Sequence, residues 1–187
     1  MASGERLVIG YGNPLRADDG LGWVVGEALA AELPEPSAGA AHVLTVHQLT
    51  PELAEPISRA SLVIFVDAQE GAAGSDGAVG LPGQVHRYPV APDSDGALAF
   101  SHDVDPPALL TLARVLYGAC PPALVISVTG HDFGYGEGLS APVQSALPAV
   151  LQQIRQALAD HDAGVLPHVM PRDNTLAATA GPRTERG

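Results

Sequence analysis

Asp18 and Asp19 form a tandem pair of carboxylates inside Gly10-Tyr11-Gly12-Asn13-Pro14-Leu15-Arg16-Ala17-Asp18-Asp19-Gly20-Leu21-Gly22. The run follows a short apolar stretch at 7–9 and leads into residues with helical spacing. It reads as a strand-to-helix turn, where α/β proteins commonly hold ligands and metals. One aspartate is enough to cap the helix and complement its dipole; the other is then free to act as a ligand. Asp67 follows the apolar run Leu62-Val63-Ile64-Phe65-Val66, at the carboxyl end of a strand covered on both faces. There it either opens an Asx-turn or faces a ligand. His102, in Ser101-His102-Asp103, precedes a helix and is either an exposed flank of the cap or a third ligand. Asp19, Asp67 and His102, brought together, would bind a borderline divalent metal ion and leave coordination positions open. His131, in Thr129-Gly130-His131-Asp132, is the rival histidine and ranks below His102, as pocket lining or a substrate contact.

Other chemistries are excluded by what the chain lacks. The third glycine of a dinucleotide fingerprint would fall at Leu15, and no acid ends the second strand, where His47-Gln48 stand. All nine Lys+Arg residues are arginines, so a P-loop lysine, a Schiff-base lysine and a Ser–Lys pair are unavailable. Cys120 is the one cysteine, which rules out an intrachain disulfide and a cysteine-rich metal site. With no histidine motif beside it, it reads as a buried or semi-buried thiol. Neither a Gly-x-Ser-x-Gly elbow nor a His-Glu-x-x-His helix occurs. The formal net charge of −12 argues against a nucleic-acid surface.

The elements that must position these groups are legible as a pattern. At 187 residues, 46% hydrophobic and only 16% charged, the chain fits one domain with a sizeable core. Strands are expected at 7–10, 42–47, 62–66, 84–90 and 124–128, and helices at 20–33, 50–60, 104–117 and 140–159. Thr50 is the expected cap of the short second helix, with Pro51 at its first position. Pro148 should bend or divide the last helix. The order β-α-β-α-β-β-α-β-α calls for a twisted, mostly parallel sheet of about five strands between helix layers. The 84–90 strand is the candidate for an antiparallel edge. His42, His47 and His86 fall within expected strands and read as structural. Residues 69–83 and 91–101 read as loops. The aperiodic stretch 161–187 reads as a disordered tail on a domain of 1–160. No apolar run approaches a membrane span, and residues 1–6 lack signal-peptide architecture, so a cytoplasmic protein is expected.

In four places, taken in order, the chain resembles the hydrogenase maturation endopeptidases. Val8-Ile9-Gly10-Tyr11-Gly12-Asn13-Pro14-Leu15-Arg16-Ala17-Asp18-Asp19-Gly20-Leu21-Gly22 resembles the first family signature. Gln48-Leu49-Thr50-Pro51-Glu52-Leu53 with Ile64-Phe65-Val66-Asp67-Ala68 is similar to the second, Ser101-His102-Asp103 to the third, and Glu137-Gly138-Leu139-Ser140 to the closing one. The resemblance implies a three-layer α/β/α sandwich and an aspartic-type endopeptidase. Its substrate would be the nickel-loaded large-subunit precursor of a nickel–iron hydrogenase, from which a short C-terminal peptide is cut. It implies no cofactor of the enzyme's own: the nickel arrives with the substrate and is contacted by Asp19, Asp67 and His102. Asp19 is then the first choice of general base and Asp18 the second. A non-proteolytic nickel-sensing chaperone and a hydrolase of small peptides are the competing expectations.

Overall fold

The computed structural model describes residues 4–32, 41–71, 80–93 and 104–165. Strand β1 (Glu5–Tyr11) runs through a 3-10 turn (Ala17–Gly20) into helix α1 (Leu21–Glu32). Strand β2 (Ala41–Val46) follows, then a second 3-10 turn (Pro51–Leu53), helix α2 (Ala54–Arg59) and strand β3 (Ala60–Gln69). The chain closes with β4 (Val85–Val90), α3 (Pro106–Tyr117), β5 (Ala123–Thr129) and α4 (Ala141–Asp162). The sheet order is β2-β1-β3-β5-β4, and every pairing is parallel except β4 on β5. Pro89 sits in that edge strand, where a missing amide donor is tolerated.

Strand alternation builds two cores from one sheet. Leu7 and Ile9 of β1, Val63 and Phe65 of β3, and Ala123 and Val125 of β5 face α2 and α3, meeting Leu53, Ile57, Leu109 and Leu110. Val8, Ile64, Val66, Ile126 and Val128 face the other way, onto Leu21, Val25 and Leu29 of α1 and Val143, Val150 and Ile154 of α4. The three-layer α/β/α sandwich is the expected architecture.

Three local expectations need correction. The short second helix begins as a 3-10 turn, Thr50 makes no capping bond, and Ala60 already belongs to β3. Pro148 does not divide the last helix, which runs unbroken from Ala141 to Asp162. Pro148 lies on the solvent face, so the carbonyl it strands reaches water, while Val143, Ala146, Val150 and Ile154 pack on the sheet at both sides of it. The helix also outlasts its expected end. Asp160 pairs with Arg87 at 2.9 Å, Asp162 with Arg6, and Gly164 at φ +69° closes the helix. Residues 72–79 and 94–101 of the expected loops, His102, Asp103 and the tail from 166 onward lie outside the described residues. Among the described residues no helix is long and apolar enough to cross a membrane.

Candidate active site

From β1 the chain passes through α1 to β2 on one side, and from β2 through α2 to β3 on the other side of β1. The chain therefore reverses direction between β1 and β3, and a crevice at the carboxyl ends of such strands is where open α/β sheets bind ligands. A cleft of about 190 Å³ lies there, lined by Tyr11, Gly12, Asp19, His47, Gln48, Leu49, Asp67 and Val104. Asp67 continues the Val63, Phe65 face of β3 and Tyr11 continues the Leu7, Ile9 face of β1, so both emerge on the α2/α3 side.

The turn after β1 is shaped by close backbone approach. A Cβ at Gly10 would stand 2.1 Å from the Gly22 carbonyl oxygen, and one at Gly12 would stand 2.0 Å from that of Asp19. Gly12 is also held at φ +126°, a conformation L side chains rarely adopt. Gly12→Ala should therefore cost about 2 kcal/mol or more and displace Asp19. Thermal unfolding, with a melting temperature several degrees below that of the parent, would show it. The same turn holds Asp19 through its Oδ2, which accepts the Asn13 N–H at 2.9 Å.

The tandem acids have separate environments. Asp18 is fully buried. Its Oδ2 accepts the His131 N–H at 2.7 Å, the Asp132 N–H at 2.9 Å and the Ser140 hydroxyl at 2.8 Å, and its Oδ1 accepts the Ser140 N–H at 2.7 Å. Burial alone would raise its pKa; the backbone bonds from Asp132, His131 and Ser140, with the Ser140 hydroxyl, outweigh burial and hold it below 3.8. Asp18 therefore ties the first turn to the loop before α4. Neither aspartate caps α1: both lie inside the 3-10 turn that precedes it.

Asp67 behaves in the opposite way. Burial pushes its carboxyl up to about 7, and the charge of Asp19 adds to the rise. The Tyr11 hydroxyl and the Ala68 N–H oppose it by hydrogen bonding. Burial, with the Asp67 charge and hydrogen bond behind it, raises the Tyr11 phenol too, so that Tyr11 stays a donor. Two acids in one cleft, with a proton held on Asp67 near neutrality, can accept a proton from water or yield one to an arriving cation.

No family model and no curated protein matches the sequence. Solved structures do match. The hydrogenase maturating endopeptidase HybD from E. coli aligns over 83% of this chain and 93% of its own, with a TM-score of 0.63 at 23% identity. The [NiFe] hydrogenase maturation protease HybD from Thermococcus kodakarensis aligns over 82% and 99%, with a TM-score of 0.61 at 18% identity. The hydrogenase 2 maturation peptidase from Thaumarchaeota archaeon SCGC_AB-539-E09 aligns over 82% and 97%, with a TM-score of 0.57 at 23% identity. The fold is that of the hydrogenase maturation endopeptidases.

On this maturation-endopeptidase fold, Asp19 and Asp67 share the cleft. His102 lies outside the described residues; Val104, two positions after it in sequence, lines the cleft. Among the described residues no set of three metal-ligating side chains converges. His131 gives its backbone N–H to Asp18, is exposed, and is not among the cleft-lining residues. His47, expected inside a strand, instead follows the end of β2 and lines the cleft. Its ring meets Trp23 at 5.0 Å between centroids, and the Trp23 indole N–H donates to the Gly12 carbonyl at 2.9 Å. The signal for His47 was present: in a parallel sheet the residue after a strand lies on the ligand edge.

Proposed function

We propose that this protein is a cytoplasmic endopeptidase that removes a C-terminal peptide from the nickel-loaded large-subunit precursor of a nickel–iron hydrogenase. The observation that carries the reading is the meeting of Asp19 and Asp67 in one cleft at the β1/β3 crevice, on the fold of hydrogenase maturation endopeptidases. His102, carried over from the sequence resemblance, would complete with them a carboxylate, carboxylate, imidazole set, which suits nickel held in part by the precursor's own ligands. Nickel brought by the precursor supplies electrophilic assistance at the scissile carbonyl. Asp19 takes the proton of the attacking water as its oxygen bonds to the carbonyl carbon. The carbon–nitrogen bond breaks, and that proton leaves with the departing amine. Asp67 gives up its own proton when the cation arrives, so that engagement of nickel is coupled to proton release.

Asp19→Asn and His102→Ala should each lower the single-turnover rate of precursor cleavage by about 10²–10⁴-fold. Far-UV circular dichroism of both should match the parent. Parental cleavage rates in both variants would remove these residues from the mechanism.

A further inference from the structure

The turn that carries Asp19 into the cleft forms part of a second depression on its other side. This groove encloses about 370 Å³ and is lined by Pro14, Leu15, Trp23, Val24 and Leu139, with Glu27 and Glu137 among its other walls. We propose that it seats an extended segment of the same precursor, one that presents an apolar side chain beside a basic one. The inference rests on the processing function proposed above and adds the surface that recognises the substrate at a distance from the cut.

The groove is a fixed feature of the fold. Leu15 is 42% exposed, yet its backbone is pinned: its carbonyl accepts the Gly136 N–H at 2.9 Å, and the next amide but one, that of Ala17, donates to the Gly136 carbonyl at 2.8 Å. A large apolar side chain held in solvent by a rigid loop, next to Trp23 and Leu139, is the composition of a contact surface.

Among the described residues the acids of the groove have no ion-pair partner. Glu27 and Glu137 are exposed. Among the described residues, the ion pairs join Arg6 to Asp162, Arg59 to Glu55, Arg87 to Asp160 and Arg155 to Glu32, and neither groove acid takes part. Arg16, adjacent to Leu15, turns its guanidinium to the Phe133 carbonyl, at 3.3 Å from Nε and 3.2 Å from Nη2. A basic partner is therefore attracted, and a second copy of this chain, with its own net charge of −12, is repelled. Continuity selects the precursor among basic partners. Trp23 lines the groove and touches His47, which lines the cleft, so a chain crossing that aromatic pair reaches Asp19 and Asp67.

The test compares the double variant Glu27→Arg/Glu137→Arg with Glu5→Arg, an exposed acid at the opposite end of β1. Purified nickel-loaded precursor is the probe. Cleavage gives KM and kcat, and calorimetry gives Kd at low and high salt. The double variant should show KM and Kd raised by about tenfold or more with kcat within about twofold, while Glu5→Arg matches the parent. The parent's affinity should fall with added salt, and the double variant's should fall less. Equal Kd for the double variant and Glu5→Arg would overturn the groove. So would a parental dimer that Leu15→Asp splits, since a second copy would then be the occupant. If the parent binds precursor without cutting it, the processing function fails and Kd still decides the groove. If the parent does not bind precursor at all, both fail.

Discussion

Asp67→Asn is expected to abolish precursor cleavage and, above pH 7, to make the protein more stable. The activity loss follows from removing one of the two carboxylates in the cleft. The stability gain follows from the proton balance. Burial and the charge of Asp19 raise the Asp67 carboxyl from 3.8 to about 7. Between those values the folded state holds a proton that the unfolded state has released, so stability declines as pH rises through the window and is lowest above it. Asparagine never bears the charge and still accepts the Tyr11 hydroxyl. After discounting for partial exposure, the gain should be about 1–3 kcal/mol at pH 8, fading to nothing below pH ~4. For a chain of this length that is a rise of several degrees in melting temperature. Melting curves from pH 4 to 8 check it; a variant that is less stable than the parent at pH 8 would show that Asp67 is a structural acid.

Asp18→Ala should do the reverse, with the larger effect on folding. It would leave three backbone N–H groups and the Ser140 hydroxyl, in part-buried surroundings, without the fully buried carboxylate that accepts from them. Each orphaned donor costs about 1–3 kcal/mol, and partial relaxation brings the sum to about 3–5 kcal/mol. Against a total stability of about 5–15 kcal/mol that is enough to threaten folding at physiological temperature. Because the folded Asp18 carboxyl lies below 3.8, its contribution is complete above the ordinary value and is lost as pH falls through the depressed one. The parent should therefore lose stability in acid more steeply than Asp18→Ala does. Denaturant titrations at pH 7 and pH 3 measure both the deficit and its convergence.

These two acids also mark how far the sequence can be read. Asp67 was legible because a continuous apolar run ended at it, and an apolar strand in a parallel sheet delivers its last residue to the ligand edge. The mostly parallel sheet, with the 84–90 strand and its Pro89 as the antiparallel edge, followed from the same kind of pattern, whereas the order of strands across the sheet did not. Asp18 and Asp19 were not separable, since tandem residues of one type differ only in where the turn points them. The donors that claim Asp18 lie 113 to 122 positions away, a separation at which local spacing carries no information. Those donors give a physical role to Ser140, in the Gly-Leu-Ser stretch that stood in the sequence only as a resemblance. His47 was missed because β2 ends one residue earlier than its apolar pattern suggests. Pro148 misled because proline breaks a helix only where the stranded carbonyl cannot reach solvent and packing does not hold both halves.

Asp19 and Asp67 are proposed to serve a nickel-gated peptide cut. The most direct test is the intact mass of the hydrogenase large-subunit precursor after incubation with this protein, with the precursor loaded with nickel or free of it, and with Asp19→Asn as the paired enzyme. The expected result is loss of a C-terminal peptide only from the nickel-loaded precursor and only with the parent enzyme. An unchanged mass for a verified cognate precursor that binds tightly would contradict it and leave the nickel-sensing chaperone. Cleavage that ignores nickel would contradict the gating and point to a general peptide hydrolase.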